Sequence, residues 1–134
     1  MPDRIDREDL RTLASFRREL RSFLSFSEGA ALSQGLAPQQ HQAILAIAGS
    51  EHQALTVGEL AETLLLRPHS ASGLVTRLEK LGMVERRETA SDGRQRLVRL
   101  TNEGAAKLAA LSSAHRAELR RLRPMLTRLL EALE

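Results

Sequence analysis

The residues best suited to chemistry lie between Arg67 and Thr101, in the stretch RPHSASGLVTRLEKLGMVERRETASDGRQRLVRLT. From Arg67 to Arg99 it holds eight Arg or Lys against four Asp or Glu, a local balance of +4. The whole chain of 134 residues holds 20 against 17, or +3, so the other segments together carry −1. A focused basic patch suits an acidic polymer, and phosphate contacts make such binding fall steeply with salt. Arg86, Arg87, Arg96 and Arg99 all have the reach for a phosphate. Strand alternation divides them between two faces, so they cannot all make contact at once.

Other chemistries find little support. The absence of cysteine excludes a disulfide framework, a thiolate switch and a cysteine-ligated metal. His41 and His52 flank one helical segment and read as surface or boundary histidines; there is no HxxxH pair. A glycine-rich phosphate loop, an HExxH and a nucleophile-elbow serine are all missing, so no catalytic residue, cofactor or metal is expected. Aromatic content of 2%, with no Trp or Tyr, does not suit recognition by base stacking. The pI near 10.5 overstates the net charge, because little titrates between the acids and the arginines. No uninterrupted run of about 18 apolar residues and no apolar leader occur, so neither membrane span nor export is expected. A cytoplasmic location follows as the expectation.

Several elements must position the basic stretch. Pro68 opens a helix with Leu74, Leu78 and Leu81 on one stripe, widened by Val75 and stopped by Gly82. The period then drops to two, predicting strands over Met83–Glu88 and Gln95–Leu100 across a turn containing Asp92-Gly93. Thr56 and Glu59 form a capping box ahead of Leu60, Ala61 and Leu64, and Leu66-Arg67 leaves only a tight bridge to Pro68. Two helices so joined, followed by a charged hairpin, form a winged helix-turn-helix. The second helix can enter a major groove while the hairpin reaches an adjacent backbone or minor groove. The competing layout is a helical hairpin in an ordinary bundle, for which a basic two-stranded ribbon has little use.

Upstream, Pro38 begins a helix carrying Ile44, Leu45, Ile47 and Ala48 that closes at Gly49. Before it, a long helix from Leu10 to Gly35 contains all three phenylalanines, Phe16, Phe23 and Phe26. Downstream, Thr101 caps a helix with Ala105, Leu108, Ala109 and Leu111 inside, and Pro124 is expected to break or restart it. The fold class is mainly α with a small β-hairpin wing. One domain over 1–134 is expected, with a winged lobe at about 38–101 and terminal helices at about 9–34 and 102–133. Those helices carry more apolar surface than one winged module can cover. Leu13, Phe16, Leu20, Leu119, Leu122, Leu126, Leu129, Leu130 and Leu133 are therefore expected at a homodimer interface.

The chain resembles the MarR family of bacterial winged-helix transcription regulators, most strongly from Leu55 to Gly104. Four pieces carry the resemblance: Leu55-Thr56-Val57-Gly58-Glu59-Leu60-Ala61; Leu78-Glu79-Lys80-Leu81-Gly82-Met83-Val84-Glu85-Arg86; Asp92-Gly93-Arg94 with Leu97-Val98-Arg99-Leu100-Thr101; and Gly104. It implies an obligate homodimer with interleaved terminal helices, bound to a palindromic double-stranded operator as a transcription regulator. Many members release DNA when a small aromatic or phenolic compound binds. Others use cysteine oxidation, which this chain cannot do. A repressor relieved by a small aromatic or apolar acid is the expectation, with an arginine of the first helix as partner for the carboxylate. The alternative is a winged protein–protein interaction module without specific DNA readout.

The DNA residues implied by the resemblance are Ser70, Ser72, Gly73, Thr76 and Arg77 on the helix, with Asp92 and Arg94 in the wing. Ser70 and Ser72 lie near a helix N-terminus, where backbone N–H groups favour a phosphate; they serve base-edge or backbone contacts, or else capping. His69 either touches a phosphate or closes the first turn. Gly73 stands where related proteins often carry a longer polar side chain, so DNA shape shares in sequence choice. Arg77 reaches a phosphate oxygen. Arg94 suits minor-groove insertion, and Asp92 suits holding an arginine or the turn backbone.

Overall fold

Helix starts follow the capping chemistry along the chain. The computed structural model describes residues 4–88 and 96–133. Helix α1 (Arg7–Ser33) opens on a reciprocal pair, in which Asp6 accepts from the Asp9 N–H at 2.9 Å and Asp9 accepts from the Asp6 N–H at 3.0 Å. Helix α2 (Pro38–Ala48) has Pro38 in its first turn, and Gln40 Oε1 accepts from the Ala37 N–H at 2.8 Å. Helix α3 (Val57–Leu64) carries the Thr56–Glu59 capping box, with both bonds at 3.1 Å. Helix α4 (Pro68–Lys80), strands β1 (Val84–Glu88) and β2 (Arg96–Leu100), and helix α5 (Asn102–Glu131) complete the order.

The turn between α3 and α4 is made by a leucine in an unusual conformation. Leu65 has φ +56° and is 92% exposed, while the Leu66 N–H returns to the Ala61 carbonyl at 2.8 Å. A left-handed non-glycine residue costs roughly 1–2 kcal/mol. Burial of Leu60 and half-burial of Leu64 and Leu66 around the corner offset that cost.

The core gathers α2, α3, α4 and the ribbon around Ile44, Ile47, Leu60, Leu74, Val75, Leu78, Val84 and Val98, with Leu108 and Leu111 closing it from α5. The strands pair antiparallel, Val84 opposite Leu100 and Glu88 opposite Arg96. Leu55 adds a bridge to β2, exchanging two backbone bonds with Val98 at 3.1 and 2.7 Å. This anchors the ribbon to the segment that leads into α3.

At the ribbon's base the backbone crosses α5 very closely. Gly82 takes φ +76°, which favours glycine. The Thr101 hydroxyl donates to the Gly82 carbonyl and accepts from the Gly104 N–H at 3.0 Å. A Cβ on Gly104 would lie 2.1 Å from the Met83 carbonyl oxygen, so only glycine permits this approach.

Four expectations are corrected. Pro124 does not break α5, which runs unbroken from Asn102 to Glu131. Pro124 and Arg120, the residue whose carbonyl loses its N–H partner, are both exposed. Water can therefore satisfy that carbonyl, and the cost falls on an open face. Leu81 does not extend the buried stripe; it caps α4 and is 46% exposed. His41 is not a boundary residue: it sits inside α2 at 4% exposure. Also off the inner face are Ala105 and Ala109, which are exposed.

His41 belongs to a ring cluster where α1, α2 and α5 meet. Its ring centroid is 4.9 Å from that of His115, which Phe23 and Phe26 meet edge-on at 5.8 and 5.5 Å. His115 Nδ1 lies 2.6 Å from the Leu111 carbonyl, which only accepts, so Nδ1 carries a proton. In the neutral ring Nε2 then accepts from the Ser27 hydroxyl at 2.7 Å. Burial lowers the His41 pKa, and His115 adds to the effect.

The unfolded chain thus binds a proton at His41 more readily than the folded one, and stability rises with pH across that window. It should fall as pH drops below about 6.5, the unfolded histidine value, and level off below the depressed folded value. Urea titrations of His41→Leu should show a flatter profile below about pH 6.5; an unchanged slope would count against the assignment. Two glycines make a second test. Gly104→Ala should cost roughly 2–4 kcal/mol of unfolding free energy. Gly29→Ala, in an exposed part of α1 with open space around the added methyl, should gain about 0.5–1 kcal/mol.

Candidate nucleic-acid interface

Helix α4 has one buried and one open face. Ala71, Leu74, Val75 and Leu78 are buried against the scaffold, which fixes the rotation of the helix. That rotation turns His69, Ser70, Thr76 and Arg77 outward, with Ser72 and Gly73 half-buried beside them. At 13 residues the helix is about 20 Å long. Its N-terminus begins at Pro68 without a side-chain cap, so the first-turn N–H groups remain available to an anion.

Gly73 has a visible use. The position its Cβ would take lies 3.6 Å from Arg77 Nη1 and 3.8 Å from Nη2, so the guanidinium folds back over the glycine. A longer side chain at 73 would displace it. The missing side chain is therefore filled by the arginine one turn later.

The register sorts the wing residues. Val84, Arg86 and Glu88 share a face with Leu100, Val98 and Arg96; Glu85 and Arg87 share the other with Arg99 and Leu97. On the first face, Arg86 turns towards α4. Its Nε lies 3.1 Å from Glu79 Oε1, an ion-pair contact whose angle misses that of a hydrogen bond, and its Nη2 donates to Thr76 Oγ1 at 3.2 Å. Arg96 lies 3.8 Å from Glu88 across the ribbon, and Arg87 pairs with Glu85 at 2.9 Å on the other face. Thr76, Glu79, Arg86, Glu88 and Arg96 line a polar cleft of about 470 Å³ between helix and wing. Asp92 and Arg94 lie outside the described residues.

Glu79 is the residue that reading the sequence did not single out. Alternation from buried Val84 points Arg86 inward, and Glu79 stands one turn after Thr76 on the adjoining helix. That was the available signal. The pair sets Arg86 apart from the more exposed Arg87 and Arg96.

The apolar residues of α1 and α5 also divide. Leu13, Leu20, Leu119, Leu130 and Leu133 are exposed, while Phe16, Leu126 and Leu129 are half-buried. Leu122 departs from its expected place: at 2% exposure it is packed inside the chain, so it supports the open face without forming it. Among the described residues no group of three or more His, Asp or Glu side chains is placed to hold a metal ion, and no helix is long and apolar enough to cross a membrane.

A short helix-turn-helix, a ribbon braced against its second helix, and long terminal helices packed together define a winged helix-turn-helix protein. The model of the MarR family matches residues 34–95. The organic hydroperoxide resistance transcriptional regulator of Bacillus subtilis is 30% identical over 93 residues, which are 62% of this chain and 63% of the relative's length. Among solved structures, a MarR family protein from Bacillus stearothermophilus superposes with a TM-score of 0.77 at 20% identity, covering 97% of this chain and 96% of the other. A MepR variant from S. aureus, solved bound to an oligodeoxyribonucleotide, gives 0.73 at 19% identity over 90% and 96%. The chain is thus similar in sequence to the MarR family over residues 34–95 and shares the fold of its solved members.

The Arg86–Glu79 contact is open to direct measurement. Its side chains are 23% and 37% exposed, so solvent screening holds the pair to a modest value. A double-mutant cycle with Arg86→Met and Glu79→Gln should give a coupling of about 0.5–1 kcal/mol in urea unfolding. Additive single effects would show that the contact contributes nothing.

Proposed function

We propose that this protein is a homodimeric, sequence-specific regulator of transcription that binds palindromic double-stranded DNA. The observation that carries the reading is the held orientation of α4, whose buried face leaves Ser70, Thr76 and Arg77 outward beside a basic wing. The oligodeoxyribonucleotide-bound MepR variant and the B. subtilis regulator support it by similarity. In this reading the first-turn N–H groups of α4, with His69, Ser70 and Ser72, hold a phosphate at the groove edge. Arg77 lies over Gly73 in the groove. Arg96 and Arg87, only weakly engaged with exposed carboxylates, exchange those partners for phosphates. Arg86 is committed to Glu79 and braces the wing. Arg94 enters the minor groove and Asp92 orders the turn.

Self-association uses the exposed leucines of α1 and α5 in two chains. Repression relieved by a small aromatic or apolar acid completes the proposal, along with a cytoplasmic setting. The cleft between α1 and α5, about 230 Å³, is apolar with Glu19 as its charged wall, so it does not suit an acid. A second cleft of about 350 Å³, lined by Leu100, Ala105, Leu108 and Ala109, offers Arg99. The arginine for a carboxylate therefore comes from β2, in place of the one expected on α1.

The test is selection of duplexes from random DNA, then titration of the winning site and a scrambled duplex at several salt concentrations. The winning site should be preferred, with affinity falling as salt rises. Sedimentation should give about twice the 14.8 kDa chain mass. Arg94→Ala should weaken both duplexes and lower the salt slope by about one unit per lost phosphate contact. Equal, weak binding of every duplex would instead indicate a winged protein-interaction module.

A further inference from the structure

We propose that Thr76 selects a thymine through its methyl group, because its hydroxyl is already committed inside the protein. The inference rests on the DNA-binding reading above and adds what one residue of that surface recognises. A threonine hydroxyl has one proton to donate and two lone pairs to accept with. The Thr76 hydroxyl donates its proton to the Ser72 carbonyl at 3.0 Å and accepts from Arg86 Nη2 at 3.2 Å. Arg86 is in turn held by Glu79 at 3.1 Å. With the donor spent, the side chain cannot donate to the O6 and N7 acceptors of guanine or to O4 of thymine.

The oxygen is drawn back against the helix on one side and towards the wing on the other, yet Thr76 remains an exposed residue. What it offers outward is the Cγ2 methyl. In the major groove one apolar feature distinguishes a base pair, the C5 methyl of thymine, and a threonine methyl is a suitable contact for it. Arg86 thus acts as a positioning residue: by holding the oxygen it fixes which group of Thr76 faces the groove. The one remaining lone pair is the competing reader, since it can accept from adenine N6 or cytosine N4. The two readings predict opposite behaviour of two variants.

The experiment uses the full chain and the duplex chosen by selection. Each half-site thymine is replaced in turn by deoxyuridine, which removes only the C5 methyl. At one thymine per half-site, affinity should drop several-fold. Thr76→Val, which keeps the shape and the methyl but loses the hydroxyl, should retain that drop. Thr76→Ser, which keeps the hydroxyl and loses the methyl, should abolish it. Arg86→Gln should shrink it by freeing the Thr76 rotamer, an effect that a purely fold-stabilising clamp would not produce. Loss of sequence preference in Thr76→Val with retention in Thr76→Ser would overturn the proposal in favour of the lone pair. Selective binding with no deoxyuridine-sensitive position would overturn it outright while leaving the DNA-binding reading intact. No preference for the selected duplex over the scrambled one would overturn both.

Discussion

The close crossing of α5 over the base of the wing is the constraint on which the other arrangements depend. Four residues meet there: Gly82, Met83, Thr101 and Gly104. The Thr101 N–H donates to the Met83 carbonyl at 3.0 Å, its hydroxyl links the Gly82 carbonyl to the Gly104 N–H, and Gly104 lies directly against Met83. The end of α4, the start of β1, the end of β2 and the start of α5 are joined within one helical turn. Buried polar groups in such a joint must be paired, since each unpaired one costs about 1–3 kcal/mol. Thr101 satisfies three of them. Movement of the terminal helices therefore cannot leave the wing untouched, because only Thr101 separates β2 from α5.

From that joint the helix and the wing extend as two levers, and a second contact ties them further out. The Arg86–Glu79 pair is too exposed to contribute much to folding stability. Its effect is geometric: it limits how far the ribbon can swing from α4. The low energy of exposed ion pairs also sets the wing arginines apart from one another. Arg87 and Arg96 give up little by leaving Glu85 and Glu88 for another anion, whereas Arg86 would leave both Glu79 and Thr76.

Features governed by local chemistry were legible in the sequence. The Thr56–Glu59 box, Pro38 and Pro68 in first turns, the Thr101 cap and the change of period after Gly82 all depend on residues a few positions apart, and each is present. The failures are of the opposite kind. Pro124 is a strong local breaker, but nothing local says that its turn faces solvent and can tolerate a lost bond. His41 is polar by type, and only the packing of α1 and α5 against α2 shows that it is buried among rings. In the candidate site, the buried stripe of Leu74, Val75 and Leu78 followed from helical spacing, whereas the residues opposite it came from the family resemblance. The Glu79–Arg86–Thr76 link followed from neither, because it depends on how far the wing leans towards the helix. The Leu55 bridge to Val98 was missed likewise, being a pairing distant in sequence.

Magnitudes also bear on what the terminal helices can do. Leu13, Leu20, Leu119, Leu130 and Leu133 are each 44–60% exposed. Fully burying a leucine contributes about 1.5–3 kcal/mol, so covering these five in both chains of a dimer yields on the order of 10 kcal/mol. Association costs roughly 4–15 kcal/mol in lost freedom before side chains are ordered. The exposed leucines alone thus lie near balance, and the half-buried Phe16, Leu126 and Leu129 would decide the outcome. Those three residues flank or line the same α1–α5 contact that Leu122 seals from inside. A pairing surface continuous with the subunit's own helix packing gains rigidity without further ordering, which favours association through these arms over any isolated patch elsewhere on the chain.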